Sequence, residues 1–441
     1  MAAADAEHEQ KKTMRAVVWE GKLFEVAVRD VPRPTIRMPE DAIVRITSTA
    51  ICGSEMHTYR GYWGSNTPPW VLGHEAVGVV VEVGSATEQF KVGDRVLIPA
   101  GSNEGFYSVA STVVPSIPMY GSGPDISELD GCQAEYVRVA YADDSLVAIP
   151  DDFSSDLQWL FLSDIFPTGW AGLDFAGFQA GDSVAVFGLG PMGLMCVYAA
   201  KLRGASEIFA VDHVRMRLDK AASLGAIPID FSEPGKSPSE QILERRPSGV
   251  MRVVDCVGYE ALNQRLRLQQ NYVINEAIRV ASVGGGVGIP GLYTTNHTSK
   301  GAPRGGDMDP IIGVDMSTAW AKSLTLRGGI MPIYELLPRL FELVRTGRAR
   351  LDFVVSAQMS IEDAARAYQR FDNKLETKVV FHFPWARESV AAGTVSPSAG
   401  LRIEGKGTGN GSIEQIAVDA NCVNAHGIDG HTAARTARLS L

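Results

Sequence analysis

The stretch DSVAVFGLGPMGLMCVYAAKL, residues 182–202, decides the fold. A run of Val and Ala typical of a buried strand leads through a glycine-rich turn into apolar residues at helical spacing. The turn has the pattern G-x-G-x-x-G and consists of Gly188, Leu189, Gly190, Pro191, Met192 and Gly193. Gly188 permits the tight turn, Gly190 lets the backbone approach a diphosphate, and Gly193 lets the helix pack closely on the strand. Together they predict a dinucleotide site at the helix N-terminus, which attracts anions.

Asp212, at the end of the next strand-like run EIFAVD, completes this motif. Its carboxylate can accept hydrogen bonds from both hydroxyls of an adenosine ribose and would repel a 2′-phosphate, which favours NAD(H) over NADP(H). Three neighbouring cations, His213, Arg215 and Arg217, weaken this preference because they can tolerate a phosphate. The alternative interpretation is a glycine-rich turn that binds no ligand.

Strand-like and helix-like segments continue to alternate after this motif. The runs EIFAVD, VMRVVDCVG and GGGVGIPGLY are separated by helix-like segments such as RLDKAASLGA, which indicates a doubly wound parallel sheet. Before the motif, residues 14–150 hold short Val- and Ile-rich runs separated by Gly, Pro and Asp, as in a barrel or sandwich. We therefore predict an α/β protein with a β-rich domain and a nucleotide-binding domain.

The composition excludes several classes of protein. Of 441 residues, 45% are hydrophobic and 21% are charged, too apolar for a disordered chain and too charged for a membrane protein. The net charge of -10 argues against nucleic acid or an anionic membrane as a partner. Residues 1–13 are predicted to be a flexible leader without a secretory signal, and residues 386–441 a low-complexity, disordered tail. Together with five scattered cysteines, these features predict a cytoplasmic protein.

Three separate segments supply candidate metal ligands. They carry Cys52 in CGSEMH, His74 in GHE and Asp164 in LSDIFPTG. A thiolate, an imidazole and a carboxylate suit a zinc site with an open fourth position. Zinc with one thiolate and one carboxylate is formally neutral, which suits a partly buried site. Each residue alone also has an ordinary interpretation: a core thiol, a structural His–Glu pair and a helix cap.

In their order along the chain, C-G-S-E-x-H, G-H-E and G-L-G-P-M-G resemble the zinc-dependent medium-chain alcohol dehydrogenase superfamily. The segments LSDIFPTGW, GCQAEYVRVAYAD, VGIPGLY and TAWAKS look closest to its glutathione-independent formaldehyde dehydrogenase branch. The resemblance covers residues 14–384. It implies a GroES-like catalytic domain, residues 14–165 and 325–385, around an inserted Rossmann domain, residues 166–324, with the active site in the cleft between them.

The resemblance implies roles for the residues around the metal. Cys52, His74 and Asp164 match the catalytic zinc ligands, the third of which is Cys in many relatives. Glu75 matches a carboxylate that can approach the metal during ligand exchange. Glu55 stands where the family usually has Asp, a carboxylate that orients the ligand imidazole. We expect the extra methylene of Glu55 to tune this contact rather than abolish metal binding.

Further roles concern the proton and the nucleotide. Ser54 matches the hydroxyl that contacts the substrate oxygen and starts a proton relay, and His57 matches the imidazole that continues the relay toward solvent. Imidazoles titrate near neutral pH and suit that task. Thr168 matches the residue that packs on the nicotinamide, Arg217 is expected to reach the adenosine ribose, and Lys378 the pyrophosphate.

The sequence departs from many relatives in its metal content. Those relatives hold a second, structural zinc on four closely spaced cysteines, whereas no cysteine stands between Pro99 and Gly131 here. We therefore expect one catalytic zinc per chain and no structural zinc. The resemblance to the formaldehyde dehydrogenase branch also implies that NAD(H) can be held tightly enough to act as a prosthetic group.

These observations predict a zinc-dependent oxidoreductase that transfers a hydride between an alcohol or aldehyde and NAD(H), through a zinc-bound alkoxide and the Ser54–His57 relay. A metal-free quinone or enoyl reductase of the same superfamily is an alternative, but such enzymes lack the Cys–His–Asp set. A non-catalytic nucleotide-binding scaffold is the other. The expected partner is a small molecule, in a homodimer or homotetramer without nucleic acid or membrane.

Overall fold

The structure is a computed structural model that describes residues 12–105, 118–150 and 155–386. Residues 1–11 of the predicted leader and 387–441 of the predicted tail lie outside the described part, so neither expectation is tested. The strands of the described part are β1 Thr13–Trp19, β2 Ala27–Pro32, β3 Ala42–Ala50, β4 Trp70–Val71, β5 Ala76–Val83, β6 Arg95–Ile98, β7 Tyr136–Val139, β8 Val147–Ala148, β9 Ser183–Phe187, β10 Glu207–Asp212, β11 Ile227–Asp230, β12 Val250–Asp255, β13 Ala281–Ile289, β14 Thr325–Gly328, β15 Ala357–Ser360 and β16 Val379–His382.

The α-helices of the same residues are α1 Glu55–Tyr59, α2 Ala142–Ser145, α3 Asp156–Leu160, α4 Ile165–Phe175, α5 Pro191–Leu202, α6 Arg215–Ser223, α7 Pro238–Arg245, α8 Tyr272–Val280, α9 Met316–Ala321, α10 Ile333–Arg345 and α11 Ala364–Asp372. A short 3-10 turn, Gly258–Glu260, follows β12. None of the helices in the described residues is long and apolar enough to cross a membrane.

A six-stranded parallel sheet carries the glycine-rich turn. Its order is β11-β10-β9-β12-β13-β14, so the chain winds outward from β9 in both directions. Alternate residues of β9 enter two different cores, because Val184 and Val186 pack with α4 and α5 while Ala185 and Phe187 pack with α8. Helices therefore cover both faces, and the predicted doubly wound α/β sheet is confirmed. The last strand, β14, begins one residue beyond 324, the predicted end of the nucleotide domain.

The β-rich part is built from a three-stranded sheet, β2-β1-β4, and a seven-stranded sheet. The path of the larger sheet is β15-β16-β3-β5-β6-β8, with β7 also paired to β3. Strand β16, near the end of the described chain, lies antiparallel to β3, with Val380 opposite Ala50. Because β3 ends at Ala50, this pairing fixes the backbone immediately before Cys52.

Candidate active site

A cavity of about 1500 Å³ is lined by residues of both the β-rich part and the parallel sheet. Cys52, His74 and Asp164 line one region of it, and Gly188, Gly190 and Asp212 line another. The volume exceeds that of an ordinary small-molecule pocket, about 300–1,000 Å³. A cavity of this size can hold a dinucleotide together with a small substrate.

The three candidate metal ligands come from three different elements. Cys52 follows β3, His74 follows Gly73, whose φ of +103° favours glycine, and Asp164 stands at the N-cap of α4. Asp164 makes no side-chain capping bond, although a helix cap was the ordinary interpretation of this residue. Its carboxylate is instead directed at the other two residues, and one donor atom of each lies within 4.8 Å of the others. Among the described residues they form the one such group of His, Cys, Asp and Glu.

The distances within this group are at or just below those between the ligands of a tetrahedral ion. Cys52 Sγ lies 3.2 Å and His74 Nε2 3.3 Å from Asp164 Oδ2. Ligand atoms at zinc bond lengths of about 2.0–2.3 Å are separated by about 3.3–3.6 Å in a tetrahedron. All three residues are buried, at 6%, 2% and 8% exposure respectively, so the donor set can hold zinc away from bulk water.

The ionisable groups of this site favour a cation between them. Burial, together with the charges of Asp164 and Glu75, raises the pKa of the Cys52 thiol. Burial also opposes ionisation of Asp164, but the hydrogen bond and charge of His74 lower the pKa of this carboxyl to about 2. Cys52 and Asp164, which both bind metals as anions, thus surround the His74 imidazole. Either a proton on His74 or a divalent cation can compensate their negative charge.

Supporting side chains contact all three candidate ligands. Glu55 Oε1 lies 3.1 Å from His74 Nδ1, so the longer side chain still reaches the imidazole. Glu55 Oε2 accepts hydrogen bonds from the Cys52 backbone and from Gln133 Nε2, both at 3.0 Å. Thr168 Oγ1 donates to Asp164 Oδ1 at 2.8 Å. Such contacts hold ligands in the orientation that a metal requires.

Glu75 and Lys378 form a buried ion pair beside this group. Both side chains are fully buried, and Lys378 Nζ donates to Glu75 Oε2. Burial lowers the pKa of Lys378, but the negative charge of Glu75 outweighs it, so the ammonium form is stabilised. Lys378 is not among the cavity-lining residues of the described chain, so this placement does not fit its expected contact with the pyrophosphate. Only one carboxylate oxygen of Glu75 meets the lysine, and the other, Oε1, is buried without a hydrogen-bond partner among the described residues.

Replacing Lys378 with methionine should therefore lower the free energy of unfolding by about 3–5 kcal/mol, because it leaves the Glu75 carboxylate buried and unpaired. Urea unfolding of the purified chain measures this. Lys236→Met is the matched control, since Lys236 and Glu244 form an exposed pair whose loss should cost at most about 1 kcal/mol. A second substitution, Glu75→Gln in the Lys378→Met chain, should restore part of the loss. Equal effects of Lys378→Met and Lys236→Met would contradict this assignment.

Of the two predicted relay residues, Ser54 is the N-cap of α1 and His57 lies within this helix. Ser54 Oγ is 3.2 Å from His74 Nε2, beside the candidate metal ligands. His57 lines the cavity but is only 8% exposed, and its Nδ1 contacts the carboxylate of Glu260. His57 therefore borders the cavity through a largely buried imidazole, and its expected part in the relay stays a prediction. Sequence reasoning missed Glu260, since no local pattern marks a residue so distant along the chain.

The glycine-rich turn has the geometry that its sequence requires. Gly188 has a φ of +84°. A Cβ on Gly190 would meet nothing within 4 Å, so the turn leaves open space where a diphosphate would approach. A Cβ on Gly193 would collide with the carbonyl oxygen of Gly188. Pro191 and Met192 begin α5 and also line the cavity.

Asp212 and Arg217 flank the same part of the cavity. Asp212 Oδ2 accepts from the Leu189 backbone at 2.7 Å, and Oδ1 from His213 and Val214 at 2.7 and 2.9 Å. These bonds orient the carboxylate and leave it further acceptor capacity. Arg217 Nη1 lies 3.7 Å from Asp212 Oδ2, and its buried Nε has no hydrogen-bond partner within the described residues. Both side chains are therefore placed to meet a ligand.

Comparisons with known proteins agree with this architecture. Residues 38–151 match the alcohol dehydrogenase GroES-like domain, and residues 191–345 match the zinc-binding dehydrogenase model. The chain is 34% identical to a glutathione-independent formaldehyde dehydrogenase of Bacillus subtilis over 83% of its own length and 96% of the relative's. It is 31% identical to an uncharacterised zinc-type alcohol dehydrogenase-like protein of the same species, covering 82% and 98%. A solved alcohol dehydrogenase from Thermus sp. ATN1 superimposes with a TM-score of 0.70 at 32% identity, covering 84% of this chain and 99% of that one.

Proposed function

The chain belongs to the zinc-binding alcohol dehydrogenase family, and from this premise we propose that it transfers a hydride between an alcohol or aldehyde and NAD(H). One observation carries the proposal: a single cavity is lined by Cys52, His74 and Asp164 in one region and by the glycine-rich turn in another. Alcohol oxidation needs a group that polarises the substrate oxygen and a hydride acceptor within reach of the same carbon. The cavity supports both requirements.

In this proposal, Cys52 Sγ, His74 Nε2 and Asp164 Oδ2 hold one zinc ion per chain. Bound zinc would supply Lewis acidity, which polarises a carbonyl or lowers the pKa of an alcohol. The cavity side of the three ligands is left for substrate, as catalytic zinc sites require. A metal-free reductase is disfavoured, because it would have no use for a thiol, an imidazole and a carboxylate clustered in a buried position.

Ser54 and His57 would handle the proton. The Ser54 hydroxyl borders the candidate ligands, so it can pass the proton of a substrate hydroxyl without ionising itself. His57 lines the same cavity and would accept that proton at a ring nitrogen. In carbonyl reduction the same groups would deliver the proton in the reverse direction.

For the nucleotide we propose NAD(H) rather than NADP(H). The Asp212 carboxylate, only 3% exposed, would accept the ribose hydroxyls and repel a 2′-phosphate. Arg217 and the open space at Gly190 would receive the ribose and the diphosphate. Because a relative in Bacillus subtilis is named a formaldehyde dehydrogenase, we propose small aldehydes and their alcohols as the substrate class.

The test begins with the zinc and nucleotide content of one purified sample. We expect about one zinc per chain and co-purified NAD(H). Reduction of NAD⁺ and of NADP⁺ is then measured with a panel of small alcohols, and aldehyde dismutation without added nucleotide. NAD⁺ should be preferred, and a chelator should abolish turnover. Full activity in a zinc-free chain would contradict the proposal. Two zinc ions per chain would contradict the expectation of a single site.

A further inference from the structure

The strongest feature that the proposed function does not use is the environment of His57. The carboxylate of Glu260, at the end of the 3-10 turn Gly258–Glu260, contacts His57 Nδ1 through Oε1. Its other oxygen, Oε2, accepts from Arg60 Nη1 at 2.8 Å. The side chains of His57 and Glu260 are only 10% and 9% exposed. Nδ1 of the imidazole is therefore bound to a buried carboxylate that follows a strand of the parallel sheet.

Neighbouring groups restrain the same imidazole further. The ring of Tyr259 stacks on His57 with centroids 4.8 Å apart and an interplanar angle of 30°. Arg60 is itself fixed from the opposite side, because its Nε donates to Asp372 Oδ1 at 2.7 Å. The ring thus has its face covered and one nitrogen occupied, which leaves Nε2 as the nitrogen available to the cavity.

We propose that Glu260 is a positioning residue of the proton relay: it holds His57 as the Nδ1–H tautomer, so that Nε2 accepts the proton lost by the substrate hydroxyl. This inference rests on the proposed function. Which ring nitrogen of a histidine carries the proton is set by the hydrogen bond that the other nitrogen makes. A carboxylate on Nδ1 leaves an unshared electron pair on Nε2, as in other carboxylate–histidine bases.

Each proton of this step has a donor and an acceptor. In alcohol oxidation the hydroxyl proton would pass by way of Ser54 to His57 Nε2, and a bound nicotinamide would supply the hydride acceptor. His57 then carries protons on both nitrogens, and its positive charge faces the Glu260 carboxylate. Release of the Nε2 proton to solvent restores the starting tautomer. Glu260 keeps its charge throughout and does not itself take up a proton.

The charges around Glu260 are consistent with this role. Burial opposes its ionisation, but its interactions with His57 and Arg60, which include a hydrogen bond to each, lower its pKa to about 2, so it is a carboxylate at any working pH. Lys374 also interacts with Glu260, and burial together with Arg60 and Arg217 lowers the pKa of Lys374 to about 7. Because Lys374 would titrate near neutral pH, the effect of Lys374 on the rate must be separated from that of His57.

The kinetic test compares Glu260→Gln, His57→Gln and the double variant with the wild-type holoenzyme. At pH 7 each single variant should lower kcat by about a hundredfold, the lower end of a lost acid–base contribution. The deficit should shrink above about pH 9 or with added imidazole buffer, since an external base can then accept the proton. The double variant should be no slower than His57→Gln, because Glu260 acts only through His57. The pH dependence of kcat is also measured in Lys374→Met. If it is the same as in the wild type, Lys374 is not the group that causes it.

A spectroscopic readout separates this inference from the proposed function. In chains with ¹⁵N-labelled histidine, the His57 signal is identified by its loss in His57→Gln. It should report the Nδ1–H tautomer in the wild type and a shift toward Nε2–H in Glu260→Gln. Glu276→Gln is the matched control, since Glu276 is a carboxylate of the parallel-sheet region with only 2% exposure that pairs with Arg279 and does not line the cavity. It should leave the His57 tautomer unchanged.

Several outcomes would overturn the inference. One is that Glu260→Gln lowers kcat equally at every pH, which would indicate a structural role. Another is that the losses of kcat in Glu260→Gln and His57→Gln add fully in the double variant. An unchanged His57 tautomer in Glu260→Gln would also contradict it. A wild-type chain with zinc and nucleotide that transfers no hydride would instead contradict the proposed function and the relay with it, while the tautomer measurement would still show whether Glu260 controls the imidazole.

Discussion

Replacing Cys52 with serine should remove zinc from the chain and lower kcat/KM by about a thousandfold or more. A hydroxyl binds zinc far less well than a thiolate, and the site loses one negative charge with it. Lewis-acid stabilisation is worth several kcal/mol, and about 4 kcal/mol corresponds to a thousandfold in rate. Elemental analysis for zinc and hydride-transfer kinetics on the same sample measure the two effects together.

Cys132→Ser is the matched control for this substitution. Cys132 is also a fully buried thiol, but it is not part of the Cys52–His74–Asp164 group. Its replacement should leave about one zinc per chain bound, with at most a modest loss of stability. If Cys52→Ser kept its zinc and its activity, or if both variants lost zinc equally, the assignment of Cys52 as a ligand would fail.

The second large effect concerns the glycine-rich turn. Gly193→Ala should weaken NAD(H) binding by about a hundredfold or more, equivalent to about 2.7 kcal/mol. The added methyl group would collide with the backbone oxygen of Gly188, so the turn and α5 must move apart. Overpacking of this kind also costs about 1–3 kcal/mol of stability. Fluorescence titration with NADH and thermal unfolding measure the two losses.

Gly190→Ala distinguishes a lost binding surface from a damaged fold. Its methyl group would point into open space, so the melting temperature should stay near the wild-type value. Nucleotide binding should still weaken by about tenfold, because the methyl group occupies the place where the diphosphate approaches the backbone. Wild-type affinity in Gly190→Ala would mean that the nucleotide does not lie against this turn.

How much of this site the sequence predicts depends on how local each signal is. The turn from Gly188 to Gly193 is a continuous pattern, so strand, turn and helix could all be read from it. Cys52, His74 and Asp164 are far apart along the chain, and spacing alone could not bring them together. The resemblance to a known family supplied that step, and the geometry of the three donor atoms agrees with it.

Charge partners across the fold could not be predicted in this way. The family resemblance implied that Lys378 reaches the pyrophosphate, yet its side chain is fully buried against Glu75. Glu260 carried no signal at all, since its contact with His57 depends on how the β-rich part meets the parallel sheet. Side-chain pairing over such separations is a property of the tertiary structure and is not encoded in any short pattern.

The pairing of β16 with β3 has a consequence for biosynthesis. Ribosomes add about 5–20 residues per second, so β3 emerges on the order of tens of seconds before the strand that lies beside it. During that interval the end of β3, from Ser48 to Ala50, lacks its native neighbour, and exposed strand edges can pair with other chains. The parallel sheet, complete at β14, can form earlier. We therefore expect the backbone before Cys52 to reach its native pairing after the parallel sheet has formed.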